Sequence, residues 1–143
     1  MDRRAGRLVI VVYHYARCSK SREATRLIGQ AGYKPVLIDY AEAGWTRSHL
    51  IGLFAAANVT PREALRRTDA EKLTVDHAGL DDEGLLAAMV RHPILVERPF
   101  VCAPGGVRLC RPPEKVLEVI DPVGAVFDAS GVPLTGPDGA MLA

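Results

Sequence analysis

The sequence predicts an α/β domain: a four-stranded mixed sheet flanked by helices, with a helical insert between a βαβ half and a ββα half. Three observations carry this. A β-branched run, a helical period and a second apolar run open the chain; about fifty helix-patterned residues follow; a hairpin pattern and a short helical stretch come after them. With 143 residues, 48% hydrophobic and 24% charged, the chain suits one domain able to bury its own core.

The elements are read in order. Leu8 to Tyr13 is continuous and β-branched, the pattern of a strand buried on both faces. From Cys18, Ala24, Leu27, Ile28 and Ala31 recur at helical spacing, and Gly32 stands where a left-handed cap belongs. Val36 to Tyr40 reads as a second strand, parallel to the first through a right-handed crossover. Thr46 can cap a helix burying Leu50, Leu53, Phe54 and Ala57, and Thr60-Pro61-Arg62-Glu63 is a capping box with proline at the first helical position. Asp81-Asp82-Glu83 opens another helix, with Leu85, Leu86, Met89 and Val90 inward, which His92-Pro93 ends. Pro99 to Ala103, a Pro104-Gly105-Gly106 turn and Val107 to Cys110 form a hairpin, and Pro112-Pro113-Glu114 starts a last helix with Val116, Leu117 and Ile120. This is the thioredoxin-like arrangement. Residues 1–120 form the domain, with the insert at about 45–92, and the Gly- and Pro-rich stretch 121–143 is expected to be a loosely ordered tail.

Bulk properties exclude several functions. Eighteen Lys and Arg against seventeen Asp and Glu leave a net charge of +1, so no strong field collects nucleic acid or a membrane surface. Cys18, Cys102 and Cys110 are an odd set without C-x-x-C spacing, against both a disulfide scaffold and a zinc knuckle; a reducing cytoplasm fits, with no metal. The basic N-terminus precedes an apolar run too short for a signal peptide or a membrane span.

The chemistry points to Tyr13-His14-Tyr15-Ala16-Arg17-Cys18-Ser19-Lys20-Ser21-Arg22. Cys18 falls where a buried strand enters a helix, and the unpaired N–H groups there lower a thiol pKa and attract anions. Arg17, Lys20 and Arg22 add positive charge, and Ser19 and Ser21 offer hydroxyls to a bound oxyanion. A histidine four residues before the thiol can tune it, or can be a structural residue at a strand end.

That stretch, together with His92-Pro93-Ile94-Leu95-Val96-Glu97-Arg98-Pro99 and Gly106-Val107-Arg108-Leu109-Cys110-Arg111-Pro112, resembles the glutaredoxin-coupled arsenate reductases over about residues 7–120. The resemblance implies that Cys18 is the nucleophile, that His14 influences it, and that Arg66, Arg98 and Arg111 hold the oxyanion. Arg67 competes with Arg66 for the first of these places. It also implies a cis peptide bond before Pro99, and glutathione and glutaredoxin as the source of reducing thiols, with no bound cofactor. Where the family commonly has Asn-Pro after the histidine, this chain has Tyr15-Ala16; Tyr15 can narrow the mouth or offer its hydroxyl to the oxyanion.

Arsenate has the shape of phosphate, and guanidinium groups plus helix N–H donors match its charge and geometry. Two other readings stand beside arsenate reduction. One is a redox-sensing regulator of the same fold that binds RNA polymerase, although such proteins usually carry C-x-x-C at the helix start and Ser21 occupies the second place here. The other is a related thiol oxidoreductase without arsenate activity.

Overall fold

The computed structural model describes residues 9–142. The chain forms two compact units, one running to Ile38 and resuming at Arg98, the other Asp39–Glu97.

The first unit is built on a four-stranded mixed sheet of order β2-β1-β3-β4, with β1 Val11–His14, β2 Val36–Asp39, β3 Phe100–Ala103 and β4 Gly106–Leu109. β1 pairs antiparallel with β3, placing Tyr13 opposite Phe100, and β3 pairs antiparallel with β4. β2 joins on the other edge, where the Val36 N–H donates to the Ile10 carbonyl at 2.8 Å. The predicted first strand is shortened: Leu8 lies outside the described residues, and Val12 is buried while Val11 and Tyr13 are only half-buried.

Helix α1, Ser19–Gln30, packs Ala24, Leu27 and Ile28 into a core shared with Ile10, Val12, Val101 and Val116. Each fully buried valine, leucine or isoleucine there stabilises the fold by roughly 1.5–3 kcal/mol. Gly32, at φ +103°, ends α1 in the backbone region glycine favours, and its N–H donates to the Gly29 carbonyl. The hairpin turns on Pro104-Gly105, because Gly106 already pairs with Ala103. The last helical segment, Pro113–Glu118, is a 3-10 turn instead of an α-helix, yet it buries Val116 and Leu117. Beyond it the chain carries two isolated bridges, Phe127 with Pro133 and Thr135 with Met141, and Val126 is fully buried.

The second unit holds α2 Tyr40–Ala43, α3 Arg47–Ala57, α4 Arg67–Lys72 and α5 Asp82–Arg91. Tyr40 belongs to α2 and not to the second strand, because the Asp39 side chain accepts the Glu42 N–H and starts a helix there. The Tyr40 ring is buried and its hydroxyl donates to the Val96 carbonyl at 2.9 Å. Thr46 caps α3 as expected, accepting the His49 N–H, while Ala57 is only half-buried.

The capping box at Thr60 forms in both directions: Thr60 N–H to Glu63 Oε1 at 3.0 Å and Glu63 N–H to Thr60 Oγ1 at 3.1 Å. No helix grows from it. The next residues are taken by non-local pairing instead, with Leu65 bridged to Val96, the Arg66 N–H donating to Leu95 and the Glu97 N–H donating to Ala64. In α5, Leu85, Leu86 and Met89 face inward as expected, but Val90 is 37% exposed, since it falls one helical step past the buried stripe. His92 stops the helix ahead of Pro93.

Candidate active site

Cys18 occupies the N-cap position of α1, one residue ahead of the first helical residue, Ser19. Its N–H donates to the Tyr15 carbonyl at 2.9 Å and its carbonyl accepts the Arg22 N–H at 3.1 Å, so the main chain is held on both sides of the sulfur. The side chain is half-buried. No helix N–H closes a full capping hydrogen bond onto it, but the Ser21 and Lys20 N–H groups lie close enough to sulfur to favour its anion. Burial pushes the thiol up; those two N–H groups and the Arg98 guanidinium outweigh burial and hold Cys18 below the usual thiol value.

Arg98 is delivered by the turn before β3, and only 6% of its surface is exposed. Its guanidinium carbon lies 4.3 Å from the centroid of the Tyr15 ring. The Arg98–Pro99 bond is cis, as the resemblance implies; Arg111–Pro112 is also cis, which the sequence reading did not anticipate. The two steps are tied together. Arg111 Nη1 donates to the Arg98 carbonyl at 2.9 Å, and the Cys110 N–H donates to the Pro99 carbonyl at 2.8 Å.

The remaining candidates separate by surroundings. His14 is the last residue of β1, and Ser19 is exposed at the first turn of α1. Ser21 is buried, and its Oγ accepts the Tyr15 N–H at 3.3 Å, so its hydroxyl braces the loop that carries Cys18. Arg22 Nη1 donates to the Ala16 carbonyl of the same loop.

Arg66 lies in the Asp39–Glu97 unit, paired with Asp69 at 2.6 Å and Glu97 at 3.2 Å, while Arg67 is an exposed first residue of α4. The two neighbours are therefore not equivalent: one guanidinium is held in place and the other is solvated. Burial disfavours the charge on Arg66, and the two carboxylates more than restore it.

Tyr15 is the residue whose part sequence reasoning missed. Its ring face lies against Arg98, a contact between distant segments that no local pattern announces. Among the described residues no group of His, Cys, Asp and Glu is placed to hold a metal ion, and no helix is long and apolar enough to cross a membrane.

Fold and site together define a thioredoxin-like domain with a thiol at the N-terminus of its first helix whose surroundings favour the anion. The ArsC family model matches residues 13–119. The chain is 51% identical over 115 residues to arsenate reductase ArsI2 of Synechocystis, covering 79% of this chain and 82% of that one. It is 38% identical over 113 residues to the arsenate reductase of Escherichia coli K12, covering 78% and 80%. The solved structure of the arsenate reductase from Vibrio cholerae superposes with a TM-score of 0.72 at 36% identity, covering 79% of this chain and 98% of that one. The chain belongs to the ArsC family.

Proposed function

We propose that this protein reduces arsenate to arsenite in the cytoplasm through a covalent adduct on Cys18, with glutathione and glutaredoxin supplying the electrons. The observation that carries this is the Cys18 sulfur itself, which faces the α1 N–H groups and the Arg98 guanidinium and is held below the usual thiol value. The relatives named above act as arsenate reductases by name, and three free cysteines suit a reducing compartment.

In the proposed reaction the Cys18 thiolate attacks arsenic and displaces one oxygen, which leaves as water after protonation. The three arginines that the family resemblance names, Arg66, Arg98 and Arg111, neutralise the oxyanion, while Ser19 and the α1 N–H groups add donors. His14 favours the reactive ionisation state of the thiol. Glutathione then adds to arsenic as a second thiolate with loss of another oxygen. A glutaredoxin thiol attacks the glutathione sulfur, leaving with it as a mixed disulfide, and the As–S electron pair stays on arsenic. Hydrolysis of the resulting As(III)–Cys18 bond releases arsenite and the free thiol. No metal takes part in this scheme.

The test is arsenate-dependent NADPH consumption in the presence of glutathione, glutaredoxin and glutathione reductase. Cys18→Ser should abolish it, because a hydroxyl far from its pKa is a poor nucleophile. Substantial residual turnover in that variant would sink the mechanism.

A further inference from the structure

We propose that Tyr15 is the positioning residue for Arg98: the face of its ring holds the guanidinium that lies against Cys18, and so sets how strongly that cation acts on the thiolate. The inference rests on the proposed function only for its turnover measurement.

Three observations converge on this residue. The guanidinium carbon sits 4.3 Å from the ring centroid, within the range where a cation is attracted by the aromatic quadrupole. Arg98 is almost wholly buried, where that attraction is stronger than at a wet surface. The Tyr15 main chain is fixed by the loop it belongs to: its N–H donates to the buried Ser21 Oγ at 3.3 Å, and its carbonyl accepts the Cys18 N–H at 2.9 Å. One residue thus grips the nucleophile through its backbone and the cation through its side chain. An arginine side chain has much rotamer freedom to lose on being held, and a flat platform removes much of it before substrate arrives.

A contact through the ring face is made by the ring itself, so Phe should serve in its place and an aliphatic residue should not.

The test is the pH dependence of Cys18 alkylation by iodoacetamide in a Cys102→Ala/Cys110→Ala background, where one thiol reacts. His14 and Tyr13 on β1, Arg17 beside the thiol, Lys20 and Arg22 on α1, and Arg111 are unchanged in every variant. Tyr15→Leu should move the midpoint upward, toward an ordinary thiol, and Tyr15→Phe should restore it. Tyr15→Leu added to Arg98→Ala should move the profile no further than Arg98→Ala alone. In the coupled assay, Tyr15→Leu should lose roughly three- to thirtyfold in kcat/KM, and Phe should recover most of it. A parental midpoint in Tyr15→Leu, an equal displacement in Tyr15→Phe, or an additive effect on top of Arg98→Ala would each overturn the proposal. Alkylation needs no arsenate. A parent protein without arsenate turnover would therefore refute the function above, and the alkylation profiles would still decide the part played by Tyr15.

Discussion

Arg98 keeps only 6% of its surface in contact with solvent, so the protein must supply what water would have given its guanidinium. The Tyr15 ring and the Cys18 sulfur are among the groups that do so. Removing a charged donor from such a preorganised site should cost about 2–4 kcal/mol in kcat/KM for Arg98→Ala. Arg98→Lys should recover only part, since an ammonium lacks the planar fork and stacks less well on a ring. Steady-state kinetics decide this, and near-parental efficiency in the alanine variant would remove Arg98 from the pocket. The other two thiols behave oppositely to Cys18. Burial raises Cys102, and burial pushes Cys110 up to about 12, whereas the surroundings of Cys18 lower it. Near neutral pH alkylation should therefore mark Cys18 first. As pH falls through its lowered pKa, the Cys18 thiolate and its reactivity should be lost. The Cys102→Ala/Cys110→Ala variant should keep arsenate reduction. A Cys18–Cys110 disulfide found by mass spectrometry after one turnover without glutathione would show an internal relay instead.

At the scale of elements, the turn from β1 into α1 depends on Ser21, a buried hydroxyl inside the first turn of the helix that accepts the Tyr15 N–H. Ser21→Ala leaves that N–H without its acceptor and should cost about 1–3 kcal/mol, measured by urea unfolding. No change would mean that the loop is held by its other bonds. This turn was legible in the sequence because hydrophobic periodicity changes from strand to helix at Cys18 itself. Other elements were not legible, for identifiable reasons. The capping box at Thr60 has every local signal of a helix start and both of its side-chain bonds, yet the chain turns away to pair Leu65 with Val96, and a non-local bridge leaves no local trace. Asn58 ends α3 in the left-handed conformation at φ 57°, a role Asn shares with Gly, and a single Asn in an apolar stretch is a weak signal for it. Pro112-Pro113 did announce a helical start, but a 3-10 turn has the same opening signal as an α-helix.

For the whole molecule, the sequence offered candidate residue identities but not the contacts among them. The family resemblance pointed to Arg98 and Arg111, but only the fold shows that Arg111 donates to the Arg98 carbonyl while the Arg98 guanidinium lies over the Tyr15 ring. The stretch after Ile120 had no periodicity to read, and its attachments are of the same non-local kind. Val123 N–H donates to the Ala31 carbonyl, Phe127 N–H to Gln30 Oε1, and Arg26 to the Phe127 carbonyl, and Val126 is part of the buried core. Deleting residues 121–143 should therefore lower unfolding free energy by at least about 2 kcal/mol, the scale of exposing one buried aliphatic side chain. Equal urea midpoints for the full and shortened chains would show that these attachments contribute nothing.

The N-cap of α1 is where many helices gain stability from Ser, Thr, Asp or Asn, and here it is given to a cysteine that closes no full bond to the helix. The proposed reacting position is thus a place where selection for stability and selection for chemistry ask for different side chains. The same Cys18→Ser variant that ends turnover should unfold at a higher temperature than its parent, by the equivalent of about 0.5–1 kcal/mol. An inactive protein that is also the more stable one would show that the thiol at this position is kept at the expense of a better-capped, inert helix. A lower melting temperature would mean instead that the thiol stabilises its own helix.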